Sequence, residues 1–419
     1  MIVFFVTALI KIFIIIGALM TAAAYLVLVE RWVAAWVQDR LGPNRAGIPL
    51  TNIRLWGLGQ PIADGLKFIF KEEFVPRHVD KILYTLAPIA TLTAAVVIYA
   101  VFPFGSLRWA DDRPPIPLSL VPGFDAGVLY IFAVNGVAVY GIILGGWAAN
   151  NKYSLFGALR GAAQLIAYEI PLSLAVLTLV VAAGSLRVED VVAQQAHSGV
   201  WNVFLHPLAF VVFFVAATAE AGRLPFDLPE TEQELVGGYH TEYSGMRLMM
   251  YLVSEFLHMI TASFLIVILF LGGWHFWGLT GAEEAAAWPI ALLRVAVLLA
   301  KVLAVVFFFM LIRWSWPRFR FDQLMALAWQ VMVPWGLAQL VFLAFWLEFV
   351  QEDPWSGGWS TAWPLAAANA GLLAAVWFVT AWVAAPHYDN RPRRIPLPPR
   401  RTVFADPGTE VVPQGAREA

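Results

Sequence analysis

Along this chain the apolar positions fall into nine long stretches separated by polar connections. They lie near residues 2–29, 82–102, 126–147, 163–183, 203–222, 249–272, 289–312, 324–347 and 363–385. Each holds about 20 residues or more, enough for a helix to cross the ~30 Å hydrocarbon layer of a bilayer. A backbone in lipid must satisfy its own polar groups, so helices are the expected form. The pattern predicts an all-α polytopic membrane protein with about nine transmembrane helices. The first stretch has no small-residue cleavage site followed by a soluble domain, so it reads as a retained helix and not as a signal peptide.

Composition agrees and narrows the classes. Of 419 residues, 60% are apolar and 13% charged, with 27 Lys+Arg, 29 Asp+Glu and no cysteine. The charged share is about half the ~25% usual in globular proteins. That excludes a soluble enzyme, a disordered scaffold and a disulfide-built secreted domain. Without cysteine the chain can hold no iron–sulfur cluster or thiolate zinc site. A formal net charge of −2 gives no reason to expect nucleic acid. The connections are sorted by sign. Segments 30–81, 148–162, 223–248, 313–323 and 386–419 carry 21 Lys+Arg, against three in the alternate connections. By the positive-inside rule the N-terminus is expected outside and the C-terminus inside.

Two inner connections stand out. In 30–81, a helical run from Glu30 to Arg40 meets Gly42-Pro43-Asn44-Arg45, which must break it. The segment 57–71 then has Leu58, Ile62, Leu66 and Ile69/Phe70 on one face and Asp64, Lys67 and Lys71 on another. This is an amphipathic helix suited to the membrane surface. In 220–247, Glu220, Asp227, Glu230, Glu232, Glu234 and Glu242 crowd six carboxylates into twenty-three residues. Crowding and any burial both disfavour their charged forms. Prolines, aromatics and leucines interleave with them, unlike a solvated loop. His240-x-Glu242 has no further matched ligands and reads as no metal site.

Only six charged residues fall inside the nine spans: Lys11, Glu169, Glu220, Glu255, Arg294 and Lys301. A charged, unpaired carboxylate at such depth costs ~2.5–3.5 kcal/mol or more, so each acid is protonated, paired or beside water. Glu255 shares a helix face with His258, and Arg294 with Lys301. One reading pairs Glu169 or Glu255 with Lys301 or Arg294 in interhelical salt bridges. The other, favoured by the acidic loop beneath them, is a proton path.

These residues sit in runs that resemble a known family. They are Glu30-Arg31…Gln38-x-Arg40-x-Gly42-Pro43-Asn44-Arg45, Gln60-Pro61-x-Ala63-Asp64-Gly65-x-Lys67, Gly146-Trp147-Ala148-x-Asn150-x-Lys152-Tyr153 through Gln164 to Tyr168-Glu169, Ala219-Glu220-x-x-Arg223-x-Pro225-Phe226-Asp227 through Glu242-Tyr243-x-Gly245, and Arg313…Pro317-Arg318-Phe319-Arg320-x-Asp322-Gln323. In this order, over roughly residues 20–345, they resemble the quinone-facing membrane subunit of respiratory complex I, the H-type subunit family of NADH-quinone oxidoreductase.

The resemblance implies a subunit with no redox cofactor of its own and quinone as substrate. NADH, FMN and the iron–sulfur clusters would belong to partner subunits, the terminal cluster to a peripheral-arm neighbour at the quinone site. Other neighbours would be membrane-arm subunits and the lipid bilayer. Arg40, Arg45, Asp64, Lys67 and Arg223 would line or brace the quinone tunnel and its entrance. Asp227, Glu230, Glu232, Glu234 and Glu242 would relay protons to Glu220, Glu169 and Glu255. Arg313, Arg318, Arg320 and Asp322 would brace the inner surface against peripheral subunits, and the membrane would be a bacterial inner membrane. Residues 1–348 would form the eight-helix family core, 349–385 a ninth helix and 386–419 a Pro/Arg-rich tail on the inner side.

The chain departs from the family pattern in two places. Glu220-Ala221-Gly222-Arg223 stands where Glu-Thr-Asn-Arg is usual, and Gln330 where a lysine is frequent. Two alternatives remain open at this stage. One is a homologous subunit of a membrane-bound hydrogenase or ferredoxin-linked complex. The other is a standalone ion-coupled transporter, although the internal repeat expected of one is not visible.

Overall fold

The computed structural model describes residues 2–44, 56–108, 116–229, 235–281, 286–350, 355 and 358–382. Arg45, Glu230, Glu232, Glu234 and the tail from residue 383 lie outside the described residues. Contacts divide the chain into a unit of residues 1–378 and a second unit from residue 379 onward.

The first unit is a helix bundle. Its elements in order are α1 (Ile2–Val37), α2 (Gln60–Phe70), α3 (Lys81–Val97), α4 (Gly127–Ala148), α5 (Lys152–Ala183), α6 (Val188–Ser198), α7 (Asn202–Leu205) and α8 (Pro207–Glu220). There follow α9 (Gly245–Phe270), α10 (Trp277–Thr280), α11 (Trp288–Ser315), α12 (Phe321–Ala326), α13 (Val333–Phe349) and α14 (Trp359–Trp382). A turn of π-helix, Leu327–Met332, joins α12 to α13. Three strands of two or three residues form a small patch in the order β2 (Ile116–Pro117), β1 (Ser106–Arg108), β3 (Ala286–Ala287).

Among the described residues, eight helical stretches are long and apolar enough to span a membrane. The fifth expected span, 203–222, differs. It is broken at His206 into α7 and a 14-residue α8, because Pro207 cannot donate the hydrogen bond a continuous helix would need. At ~1.5 Å per residue α8 is ~21 Å long, short of the ~30 Å hydrocarbon layer. It is packed among α5, α9 and α13, and Leu208, Ala209, Val212, Phe213 and Ala216 are fully buried. Two expected boundaries also move. α1 continues to Val37, so Glu30 belongs to it. α5 begins at Lys152, capped by the Asn151 side chain, which places Glu169 near its middle instead of one-third along.

The described connections gather at two opposite faces. On one face Asn150 Nδ2 donates to His78 O at 3.1 Å, Asn151 Nδ2 to Glu242 Oε1 at 2.6 Å, and Phe319 N to Pro225 O at 3.2 Å. On the other, Lys11 Nζ donates to Pro117 O and Ser119 O, and Trp277 Nε1 to Gly199 O. The first face carries the basic connections of the sequence pattern. Small residues let the helices beneath it approach closely: at Gly141 of α4 a Cβ would collide with Thr91 and the Ala87 carbonyl of α3. α9 is the most buried of the long helices and forms the centre of the bundle. Outward-facing side chains such as Phe13, Ile82, Leu292 and Val341 remain exposed. A bilayer-facing surface needs this inversion of the usual pattern.

Candidate functional site: a buried acid chamber

α8 ends at Glu220 against the middle of α5, and α9 passes both. Between them lies a cavity of about 70 Å³. Glu169, Glu220, Glu255 and His258 all line it, with Asn135 of α4 and Tyr239 of the following loop. At roughly 10–15 Å³ per water-sized probe, it has room for several waters. Neither Glu169 nor Glu220 has a hydrogen-bond partner among the described residues, so both carboxyl groups are open to the cavity. Glu255 accepts from the Tyr239 hydroxyl at 3.3 Å. Gln164, 1% exposed, sets the chamber floor: its Nε2 donates to Ala219 O and Phe226 O, both at 2.7 Å. One amide thus ties the end of α8 to the loop that follows and to α5.

Below the chamber, Arg223 lies between two carboxylates. Nη1 is 3.7 Å from Glu30 Oε1 and Nη2 is 3.7 Å from Glu255 Oε2, while the guanidinium stacks 4.4 Å from the Phe256 ring centre. Glu30 also binds Arg313. Glu30 and Arg223 are each 9% exposed, so this is a desolvated network joining α1, the acidic loop, α9 and α11. Next to it Asp227 pairs with Arg318 at 3.1 Å. Burial pushes the Asp227 carboxyl up to about 6, against the opposing pull of Arg318. Tyr84 and Tyr243 stack at 4.1 Å beneath α9, and the Tyr84 hydroxyl donates to Glu242 O at 2.6 Å. The acidic loop is therefore packed at both ends, at Asp227 and at Glu242.

The expected site residues fall into three groups. Glu169, Glu220 and Glu255 meet in the chamber, and Arg223 and Asp227 lie at its mouth. Glu242 is held further along by Asn151. Arg40, Asp64 and Lys67 do not reach it. Asp64 pairs with Arg31 of α1 at 3.2 Å, Arg40 bonds Gln38, and Lys67 lies over Phe68. α2 buries none of its residues, and its apolar side, from Leu58 to Phe70, is exposed.

One of the two readings of the buried charges is set aside. The salt bridges of Glu169 or Glu255 with Arg294 or Lys301 do not form, because both bases point to the opposite face. Arg294, 2% exposed, donates twice to Thr280 O. Lys301 Nζ donates to Leu271 O, Gly273 O and His275 O at 2.6, 3.0 and 2.6 Å, over the Trp201 ring. Arg313 and Arg318 close ion pairs within this chain, and Arg320 and Asp322 pair with each other at the surface. Glu30, Asn135, Gln164 and Tyr239 were absent from the expected site. Glu30 fell one residue past the span assigned to the first helix, and uncharged Asn135 and Gln164 gave no charge signal.

Among the described residues, eight long apolar helical stretches and the shorter α8, with three glutamates gathered around one cavity, define an all-α polytopic membrane protein. Comparison with known proteins specifies it further. Residues 10–344 match the NADH dehydrogenase family. The chain is 44% identical over 331 residues to an H-type subunit of NADH-quinone oxidoreductase from Geobacter metallireducens, covering 79% of this chain and 93% of the relative. It is 41% identical over 359 residues to the corresponding subunit of Leptospira biflexa, covering 84% and 96%, and 42% identical over 339 residues to that of Syntrophotalea carbinolica, covering 81% and 95%. The chain belongs to the family of H-type membrane subunits of NADH-quinone oxidoreductase.

Proposed function

We propose that this chain is the membrane subunit of a proton-translocating NADH-quinone oxidoreductase, in which it couples quinone reduction to proton movement. The observation that carries this reading is the chamber, with Glu169, Glu220 and Glu255 on three different helices around one polar cavity. Reduction of a quinone to quinol takes up two electrons and two protons. Carboxyl groups held out of bulk water change protonation readily when a charge nearby changes. The Glu30–Arg223–Glu255 network supplies the connection: a shift of Arg223 toward either acid alters the field at the chamber.

In this reading the basic face is cytoplasmic, with the N-terminus outside and the membrane a bacterial inner membrane. α2 lies beside α1 with its apolar side exposed. That surface suits the isoprenoid tail of an entering quinone, with Arg40, Arg45, Asp64 and Lys67 around the opening. Partners would be peripheral subunits that carry the terminal iron–sulfur cluster, and neighbouring membrane-arm subunits.

The test is Glu220→Gln in the assembled complex. Assembly should persist, with quinone-dependent NADH oxidation and proton translocation falling by roughly tenfold or more. Wild-type rates of both would overturn the reading.

A further inference from the structure

The α7–α8 crossing is gripped at both ends by side-chain amides. At the Glu220 end, Gln164 Nε2 donates to the Ala219 carbonyl at 2.7 Å. At the other end, the break before Pro207 leaves the Leu205 carbonyl with no helical N–H to accept from. Asn369 Nδ2 of α14 donates to that carbonyl at 2.7 Å. Asn369 is held in turn by Gln339 of α13, whose Nε2 donates to Asn369 Oδ1 at 2.9 Å. Leu205, Asn369 and Gln339 are all fully buried, so neither the carbonyl nor the amides can take water in place of one another.

Between these two grips, Pro207–Glu220 is one unbroken 14-residue helix. Its internal hydrogen bonds make it stiff along its axis, so a movement at Pro207 is carried to Glu220. We infer that Asn369 is a positioning residue for Glu220, acting through the length of α8. Without the Asn369 amide, the Leu205 carbonyl and the Gln339 amide lose their common partner, and the relief open to them is to approach each other. That draws the head of α8 toward α13 and moves Glu220 relative to Glu169 and the cavity both line. The proton affinity of a carboxyl depends on its distance from a like charge and from water, so Glu220 would titrate differently. α14 lies beyond the matched residues 10–344, so an element outside the family match sets the place of a chamber acid.

The consequence for activity rests on the proposed function, and the two can fail separately. The intact complex carrying Asn369→Leu is purified, its density map is compared with that of the wild type, and coupled turnover in proteoliposomes is followed across pH. Glu220 should be displaced by ~1 Å or more, and the pH profile of turnover should shift by about half a unit or more. A lowered thermal midpoint alone, with Glu220 in its wild-type place or with a wild-type pH profile, would make Asn369 a purely structural residue and overturn the inference. Asn369→Ser keeps a hydroxyl without the reach to both partners and should shift both readouts in the same direction by less. It decides the matter by the same two measurements where the Asn369→Leu complex does not assemble. Wild-type turnover in Glu220→Gln would overturn the chamber reading, whereas the place of Glu220 in the Asn369→Leu map tests the positioning by itself.

Discussion

Two sets of ionisable groups are buried in this bundle, and they are treated in opposite ways. At the ends of α9 and α11 away from the basic connections, Arg294 and Lys301 are held by the backbone: five contacts to carbonyl oxygens at 3.0 Å or less fix the two side chains. Those carbonyls sit at and after the C-terminal end of α9, where the helix dipole favours positive charge. In the chamber, Glu169 and Glu220 have no such partners among the described residues and face a cavity instead. Several carbonyl partners fix a side chain and make it architectural. An open carboxyl beside water can gain and lose its proton. The difference separates groups that hold the fold from groups that can do work, although all of them look alike as charges in apolar runs.

Substitution can break this contrast. The largest effect is expected at Glu169→Gln, which keeps shape and removes the titration. Coupled turnover should fall by roughly tenfold or more, measured as protons per second in proteoliposomes, with the complex still assembled. Normal turnover would place Glu169 with the architectural groups. Next, Arg294→Met removes the donor that satisfies Thr280 O and should destabilise the subunit by ~1–3 kcal/mol. A lowered midpoint for thermal dissociation of the complex would show it, while protons per NADH stay at the wild-type ratio. A fallen ratio in complex that survives purification would contradict the division. Lys301→Met should act in the same sense but more weakly, by ~1 kcal/mol, because its three carbonyl partners lie in the connection after α9, where they can reorganise toward water.

The smallest effect concerns Asp227, which stands between the two behaviours, paired with Arg318 yet raised to about 6 by burial. Above pH 6 it is ionised and the pair is complete; as pH falls through 6 it takes up a proton and the pair loses its ionic part. Infrared difference spectra should show a carboxyl band that grows from pH 7.5 to pH 5 and is missing in Asp227→Asn. If no band titrates in that range, Asp227 is a fixed charge like Arg294.

Much of this was legible in the chain before folding. The spans were visible because lipid tolerates few charges, so six exceptions in nine apolar stretches stood out. Glu169, Glu220 and Glu255 were isolated on that ground, and the chamber does bring them together. The break at His206 was not legible: Leu205-His206-Pro207 sits in an apolar run where a lone proline is compatible with an unbroken membrane helix. The fate of Arg294 and Lys301 was hidden for a different reason. Their partners are backbone carbonyls, which every residue carries, so no side-chain pattern announces them. Asn135 and Gln164 escaped because a neutral amide leaves no mark in a search for charge. Arg223 was identified, but its place between Glu30 and Glu255 depends on three helices meeting and on no local motif.

The broken crossing has one more consequence. Asn369 of α14 is fully buried and donates to Leu205 O at 2.7 Å, and Gln339 of α13 donates to Asn369 at 2.9 Å. The discontinuity is therefore clamped from α14, whose residues lie beyond the 10–344 family match. The 14-residue α8 leaves its Glu220 end well inside the span of the longer helices around it. A membrane potential does ~2.3 kcal/mol of work per elementary charge per 100 mV across the full insulating layer. A chamber filled with water would interrupt that insulator locally, so part of the voltage drop would fall at Glu220. In the proposed reading its protonation would then respond to the energisation of the membrane as well as to the quinone, a form of back-pressure on proton movement.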